Sequence, residues 1–172
     1  MSRPLSDLTI NISRLSEGSH EYDFETEPKN LDLDARFVDR VFVHAVLEKT
    51  GRQLFLRTKL GTKGHFVCDR CLDDFVSDVS TRYDIVYITE EIAAPEIDQG
   101  EMQYLGPDST TLDLGEDVRQ FLILAVPLKL LCKEDCRGLC PKCGSNRNKS
   151  QCGCAENDAD PRWEVLKKVS LK

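Results

Sequence analysis

The distribution of cysteines constrains this chain more than any other feature of its sequence. Six of the eight cysteines lie within residues 132–154, and the other two form an upstream pair. The full set is Cys68, Cys71, Cys132, Cys136, Cys140, Cys143, Cys152 and Cys154. Thiolates in closely spaced pairs are typical of zinc sites, in which four ligands surround the ion at tetrahedral corners. The sequence therefore predicts bound metal.

Two zinc sites would use all eight cysteines. Cys140 and Cys143 enclose two residues and precede Gly144, which can take the positive φ that such a turn needs. Cys152 and Cys154 follow a few residues later, so these four cysteines predict a first site. The cysteines then left over are Cys68, Cys71, Cys132 and Cys136. They predict a second site that joins two distant parts of the chain.

Other cysteine chemistry fits this pattern less well. Disulfides need an oxidising compartment, and residues 1–7 contain no apolar run typical of a secretory signal, so we expect a cytoplasmic protein with reduced thiols. Cys68 and Cys71 have the spacing of a thioredoxin-like redox pair, but that chemistry leaves six cysteines unexplained. A site closed by four protein ligands has no position for water or substrate. We therefore expect the zinc to be structural.

Length, hydropathy and charge set further limits. A chain of 172 residues, 40% of them hydrophobic, can build one domain with its own core. The longest apolar run, residues 121–126, is far shorter than a membrane span, so no membrane partner is expected. The net charge of −7 argues against a globally basic protein that binds nucleic acid without specificity. Any contact with nucleic acid must then be local.

The first 90 residues have the pattern of an antiparallel meander. Alternating or β-branched stretches predict strands at residues 8–12, 22–24, 41–48, 53–58, 65–67, 75–79 and 82–88. Thr50 and Gly51 predict a hairpin turn, and Gly61 and Gly64 are expected to separate strands. Cys68 then lies at the tip of a strand.

A loop and a helix are expected next. Residues 89–107 are acidic and broken by proline and glycine, which predicts a loop or partly disordered insertion. Asp113 is a candidate N-cap for a helix that ends near Val126, because Pro127 disfavours helical geometry before it. This helix would lead directly into the cysteine-rich region.

A second helix is predicted near the end of the sequence. Asp160 is a candidate N-cap and Pro161 suits the first turn. Trp163, Leu166 and Val169 would form the buried stripe of this helix, so Trp163 is expected to be a core aromatic rather than a platform for a base.

Several motifs together resemble a known family. They are the Cys-Asp-Arg-Cys of residues 68–71, the Leu-Ala-Val-Pro of 124–127, the Cys-Arg-Gly-Leu-Cys-Pro-Lys-Cys-Gly of 136–144, Asn148 with the later Cys-Gly-Cys of 152–154, and the Asp-Pro-Arg-Trp of 160–163. In this order they are similar to the YceD family, also called domain of unknown function 177. The resemblance extends from Phe24 to Leu166.

The resemblance implies a bacterial cytoplasmic protein, similar to factors needed for accumulation of the 23S ribosomal RNA, with relatives in plastids. No catalytic activity is attached to the family. Some members keep only the first cysteine knuckle and one Cys or His pair after the helix, which supports pairing Cys68 and Cys71 with Cys132 and Cys136. Arg147 departs from the family, which tends to have Leu between two asparagines, but this loop position puts no ligand in doubt.

The sequence and the resemblance together predict one YceD-like α+β domain over residues 1–172. It would combine an antiparallel β-sheet with two main helices and a zinc-bound, cysteine-rich C-terminal region docked on the sheet. The expected parts are a β-rich body (1–90), an acidic loop (91–109), a helix and connector (110–131), a zinc knuckle region (132–154) and a C-terminal helix (155–172).

Basic residues are concentrated in the cysteine-rich region. Lys129, Lys133, Arg137, Lys142, Arg147 and Lys149 form what we call the basic stripe. Only Glu134 and Asp135 oppose these six cations between residues 126 and 150, which leaves an excess of +4. The stripe could contact large-subunit ribosomal RNA or a precursor particle, or it could balance the charge of zinc-bound thiolates. The sequence has no aromatic RNA-binding signature that decides between them.

An enzyme and a protein-interaction module are two further classes of function. An enzyme is not expected, because His20, His44 and His65 are scattered over predicted strands and there is neither a glycine-rich phosphate loop nor a nucleophile elbow. No small-molecule substrate is expected either. A zinc-stabilised module that binds a ribosomal protein or a transcription component, without touching RNA, fits the acidic body about equally well.

Overall fold

The computed structural model describes residues 7–51, 53–88, 102–106 and 108–154. These residues contain seven strands: β1 (Thr9–Asn11), β2 (Gly18–Thr26), β3 (Val41–Lys49), β4 (Gln53–Val67), β5 (Asp74–Ile88), β6 (Met102–Tyr104) and β7 (Thr111–Asp113). They also contain one α-helix, α1 (Gly115–Ala125), and a short 3-10 helix (Pro28–Leu31). The second helix expected around Trp163, Leu166 and Val169 lies outside the described residues. The fold is thus mostly sheet, with one helix where it is described.

The main sheet has the order β2-β3-β4-β5-β6. Strands β2 to β5 form the predicted antiparallel meander, with each strand paired to the next along the chain. The predicted antiparallel sheet is thus confirmed for these strands, but the sheet also has a parallel edge, because β6 pairs with β5 in parallel, from Val86 with Met102 to Ile88 with Tyr104. This strand falls in the predicted acidic loop. Three residues suffice to bond with the open backbone edge of β5, a pairing that local composition does not reveal.

β4 and β5 are 15 residues long each and form a hairpin that extends beyond the rest of the sheet. The strand break expected at Gly61 and Gly64 is absent from β4. Gly64 instead makes room for the buried ring of Phe66, since a Cβ at position 64 would lie within 3 Å of that ring. In β5, burial of alternate residues continues through Val79 and Tyr83, so the two strands predicted there are one.

One face of the sheet is covered by the other elements. β1 and β7 pair with each other, and their Ile10 and Leu112 join the main hydrophobic core. α1 buries Val118 and Leu122, and its Phe121 stacks on Tyr83 of β5 with ring centroids 4.3 Å apart. The opposite face of β3, β4 and β5 is left largely exposed. No helix among the described residues is long and apolar enough to cross a membrane.

The start of α1 differs from the prediction by one residue. Leu114 occupies the N-cap position, and no side chain caps the helix there. The Asp113 carboxylate accepts a hydrogen bond from the Gly115 backbone N–H over 2.9 Å. Asp113 therefore forms a turn just before the helix rather than a cap. At the other end the helix stops at Ala125, before Pro127, as expected.

Candidate metal centres

The β4–β5 hairpin carries the first cysteine group at its end. Cys68 directly follows β4, and the turn closes through hydrogen bonds from the Cys68 N–H to the Asp73 carbonyl and from the Leu72 N–H to the Cys68 carbonyl, both 2.9 Å long. Cys71 lies within this turn. The region after Pro127 folds back onto it and brings in Cys132 and Cys136, so that all four sulphur atoms lie within 4.8 Å of one another. We call these four residues the first cluster.

The sulphur distances of the first cluster suit a tetrahedral ion. Cys68 Sγ lies 3.8 Å from Cys136 Sγ, and Cys71 Sγ lies 3.6 Å from Cys132 Sγ. Four thiolates at about 2.3 Å from one zinc ion would be separated by roughly 3.8 Å. A disulfide would need about 2.05 Å, and the eight cysteines are free. The donor set and its spacing therefore fit one zinc ion.

The surroundings of the first cluster also shift the pKa values of its thiols. Burial raises the pKa of the Cys68 thiol, but hydrogen bonds from the backbone N–H groups of Cys132, Cys71 and Arg70 outweigh it and lower this pKa to about 6. Burial and the neighbouring thiols of Cys71 and Cys136 raise the pKa of Cys132. Protein groups alone thus favour loss of the first thiol proton from the cluster. They oppose loss of the last one, because adjacent thiolates repel each other. A bound divalent cation would remove that repulsion.

The second cluster consists of Cys140, Cys143, Cys152 and Cys154, whose sulphur atoms again lie within 4.8 Å of one another. Its turn is closed by a hydrogen bond from the Gly144 N–H to the Cys140 carbonyl over 2.8 Å. Gly144 has a φ of +72°, as the sequence predicts for a knuckle of this type. Cys143 is exposed and both later cysteines are half-buried, whereas three of the four first-cluster residues are buried. The second cluster is thus the more accessible one.

The hairpin turn binds the cysteine-rich region through polar contacts as well as sulphur. The Asp69 N–H donates to the Leu130 carbonyl over 2.8 Å, and the Leu130 N–H donates to the Asp69 carboxylate over 2.6 Å. Arg70 accepts from the Leu139 N–H at its carbonyl, and its guanidinium donates to the Cys136 carbonyl over 2.9 Å. The region therefore docks on the end of the hairpin, a more specific place than the sheet as a whole.

A second set of contacts reaches from Asp73. Its carboxylate accepts hydrogen bonds from the Asn146 amide and the Lys149 ammonium, each over 2.8 Å. Asn148 donates through its side chain to Cys136 Sγ over 3.2 Å, and its side-chain oxygen accepts from the Arg137 N–H. Asn146 and Asn148 are the two asparagines that flank Arg147. They link the loop between the second-cluster cysteines to the first cluster.

Sequence reasoning missed most of these supporting residues. Asp69, Arg70, Asp73 and Asn146 received no role, because their partners lie about 60 to 75 positions away in the chain. Asn148 appeared only as part of a motif. The signal that could have found them is their position beside predicted ligands, where polar side chains often orient a metal site.

The structure separates the basic stripe into different environments. Lys149 is paired with Asp73, and Lys133 lies 3.7 Å from Asp135. Arg137 and Arg147 line a cleft of about 520 Å³ beside Cys152 and Cys154. Lys129 and Lys142 are exposed. Six cations close in sequence thus do not form one uniform surface.

The three histidines are not brought together. The rings of His20 and His44 make hydrogen bonds to the Ser16 carbonyl and the Asp23 carboxylate, and His65 lies 3.7 Å from Asp74. His20, His44 and His65 occupy three different strands, as predicted. Each is therefore accounted for by a local contact.

A mostly antiparallel sheet whose longest hairpin carries one four-cysteine group at its end, with a second group in the region docked there, defines the class of this protein: a β-sheet body with a candidate metal-knuckle region. The sequence matches, over residues 56–170, the family described as large ribosomal RNA subunit accumulation protein YceD. This match covers more than half of the chain and includes all eight cysteines. The chain belongs to the YceD family.

Individual relatives share parts of the chain. The large ribosomal RNA subunit accumulation protein YCED homolog 1, chloroplastic, of Arabidopsis thaliana is 30% identical over 70 residues, which cover 41% of this chain and 22% of that protein. Uncharacterised proteins of Mycobacterium tuberculosis and Mycobacterium bovis are 35% identical over 103 residues, or 58% of this chain and 47% of theirs. The chain thus spans less than half the length of these relatives. No solved structure is significantly similar to it.

Proposed function

We propose that each cluster holds one structural zinc ion and that the protein supports accumulation of large-subunit ribosomal RNA without catalysing a reaction. The observation that carries the proposal is the grouping of eight free thiols into two sets of four inside the region matched by the family. Cys68, Cys71, Cys132 and Cys136 would hold the first ion, and Cys140, Cys143, Cys152 and Cys154 the second. Zinc would supply cross-links, which in small zinc peptides contribute on the order of 10 kcal/mol to folding.

The contact with RNA is proposed for the cleft beside the second cluster and the exposed cations near it. Arg137 and Arg147 line this cleft together with Ser150 and Gln151, which can donate hydrogen bonds to phosphate oxygens. Lys129, which precedes Arg137 in the same region of the sequence, is exposed to solvent. In a protein of net charge −7, these cations give the cysteine-rich region a local positive charge, which attracts a polyanion such as RNA. A cytoplasmic location would follow from this role.

The experiment replaces Lys129 and Arg137 by Gln and sediments the tagged protein against ribosomal particles, with sequencing of crosslinked RNA. Neither residue is a cysteine or a core residue, so zinc content and fold should stay unchanged while association with large-subunit precursors falls. Lys29→Gln with Arg40→Gln removes the same charge far along the chain and is the matched control. Loss of zinc in the test variant, with particle association per folded molecule unchanged, would instead assign these cations to thiolate charge balance.

One observation favours a second candidate, a protein-interaction module. Leu124 at the end of α1 is 77% exposed, and Leu128 beyond Pro127 is fully exposed. Large apolar side chains in such positions commonly contact another protein. Replacing both by Ser should leave RNA crosslinking intact under the first proposal. If it removed the protein from precursor particles while the cation variant did not, the interaction module would be the better account.

A further inference from the structure

The exposed face of the main sheet carries a pair of like charges directly opposite each other. Lys59 of β4 and Arg82 of β5 are registered partners in the antiparallel ladder, and both side chains are exposed. Directly opposite residues have Cβ atoms about 4.5–5.5 Å apart, and like charges in this arrangement destabilise a sheet. Because this like-charged pair destabilises the sheet, its presence is better explained by binding than by folding.

Neighbouring cations on the same face have acidic partners, whereas this pair has none. Arg57 pairs with Glu48, and Lys63 lies 4.0 Å from Asp39. Among the described residues, neither the Lys59 nor the Arg82 side chain makes a hydrogen bond or ion pair. Two uncompensated cations thus lie between compensated ones on the same pair of strands.

The surroundings of the pair form a shallow cleft of about 350 Å³. Its lining residues are Lys59, Leu60, Ser80, Thr81 and Arg82, none of them acidic. The next registered pair on the same face of the hairpin is Gly61 with Ser80, and nothing lies within 4 Å of where a Cβ of Gly61 would be. The space above Gly61 is therefore open, with two cations and a hydroxyl at its rim.

Acids border this space without entering it. On one side, Asp84 lies directly opposite Arg57 in the ladder. On the other side, Asp78 lies directly opposite Lys63. A larger cleft on the same face, which Lys59 and Arg82 also line, contains Glu21, Glu48 and Asp84. The positive charge of Lys59 and Arg82 is therefore local to the smaller cleft beside Gly61, whose lining includes no acid.

An exposed aromatic ring completes the arrangement. Phe42 of β3 is the registered partner of Gly61 and is 52% exposed. The order across the three strands is thus Phe42, Gly61 and Ser80, with the two cations in the adjacent row. An aromatic face beside cations is the combination by which proteins bind single-stranded nucleic acid, because bases stack while phosphates pair with the charges.

We propose that this face binds a single-stranded segment of RNA, with one phosphate held over Gly61 by Lys59 and Arg82 and a base stacked on Phe42. The inference rests on the proposed role in large-subunit RNA accumulation, and it adds a contact on the sheet to the one beside the second cluster. RNA bound at both places would run along the β4–β5 hairpin.

The test measures binding of a fluorescently labelled single-stranded segment of large-subunit RNA by anisotropy at several salt concentrations. Lys59→Gln with Arg82→Gln should weaken binding about tenfold at low salt. The slope of log affinity against log salt should become shallower by about 0.7, because Lys59 and Arg82 share one phosphate and each single-strand phosphate contact contributes about 0.7. Lys63→Gln, on the same strand and face, should change neither quantity. The double variant should be at least as heat-stable as the wild type, since a repulsion has been removed.

A second pair of variants tests the aromatic ring. Phe42→Leu keeps an apolar side chain but removes the stacking face, and it should weaken RNA binding several-fold, as base stacking contributes about 1–3 kcal/mol. Phe55→Leu, on the same face beneath Arg57, is the control. If Phe42→Leu has no effect and inorganic phosphate at equal ionic strength displaces the RNA, the cleft takes a lone phosphate and the RNA-strand proposal is overturned.

The same assay separates this inference from the proposed function. Binding lost in Lys129→Gln with Arg137→Gln but retained in Lys59→Gln with Arg82→Gln would overturn the sheet site and leave the proposed function standing. The reverse result would support the sheet site and contradict the proposed RNA contact at the cleft beside the second cluster. A wild-type protein that binds no segment of the RNA would overturn both.

Discussion

The Arg70 guanidinium donates a hydrogen bond to the backbone carbonyl of Cys136, 66 residues later in the chain, over 2.9 Å. Arg70 lies in the turn of the β4–β5 hairpin between Cys68 and Cys71, and Cys136 is a buried cysteine whose Sγ lies 3.8 Å from Cys68 Sγ. A charged side chain and a pair of thiols thus hold the same two segments together. The first cluster therefore has support that does not depend on metal.

Replacing Arg70 by Met should weaken this support without removing a thiol. We expect a loss of about 1 kcal/mol in the free energy of unfolding, because the side chain is partly exposed and its hydrogen bonds compete with water. Limited proteolysis should become faster between residues 128 and 138. Arg40→Met removes an exposed, paired arginine elsewhere and should leave that segment protected. Equal cleavage in both variants would mean that Arg70 does not fasten the region.

Gly138 and Gly144 offer a matched pair for the second prediction. Both have positive φ, +69° and +72°, so Ala at either position should cost about 1–2 kcal/mol in backbone strain. A Cβ at Gly138 would also lie 2.9 Å from the Arg70 carbonyl oxygen, whereas nothing lies within 4 Å at Gly144. Gly138→Ala should therefore lower the unfolding temperature clearly more than Gly144→Ala. Similar shifts for the two would contradict the close approach to Arg70.

The parts of the fold that sequence could predict are those with a local periodic signal. The meander from β2 to β5 and the end of α1 before Pro127 follow from alternation and from proline geometry. The continuity of β4 through Gly64 could not be predicted, because it depends on the ring of Phe66 filling the space that glycine leaves. The parallel pairing of β6 depends on the free edge of a distant strand.

The candidate metal centres divide in the same way. The grouping of cysteines was predicted, since spacing and number leave few combinations, and the structure brings the thiols together in those two sets. The contacts of Asp69 with Leu130 and of Asp73 with Lys149 were not predicted. They join surfaces that become adjacent only after the region has folded back onto the hairpin, so no local pattern records them.

Lys149 should behave differently from the other cations of the basic stripe. Its ammonium pairs with Asp73, so Lys149→Gln is expected to loosen the loop between the second-cluster cysteines, with a loss below about 1 kcal/mol that shrinks at high salt. Hydrogen exchange of residues 145–150 measures this loosening. The salt dependence of RNA binding should stay as in the wild type. A shallower salt slope with unchanged exchange would place Lys149 on RNA instead.

The two clusters should release metal at different rates. Cys143 is exposed, and Cys152 and Cys154 are half-buried, so a chelator can reach the second cluster more easily than the first. Zinc transfer to a coloured chelator should show two phases of equal size. In Cys152→Ser with Cys154→Ser only the slow phase should remain. Loss of the slow phase in that variant would reverse the assigned order.

The division of eight cysteines into two zinc sites is the central claim, and zinc content measures it most directly. Native mass spectrometry with elemental analysis should give two zinc ions for the wild type, and one each for Cys68→Ser with Cys71→Ser and for Cys152→Ser with Cys154→Ser. The first variant should also expose residues 128–138 to protease, whereas the second should expose only residues beyond Gly144. One zinc ion in the wild type, or the loss of one and the same ion in both variants, would contradict the account.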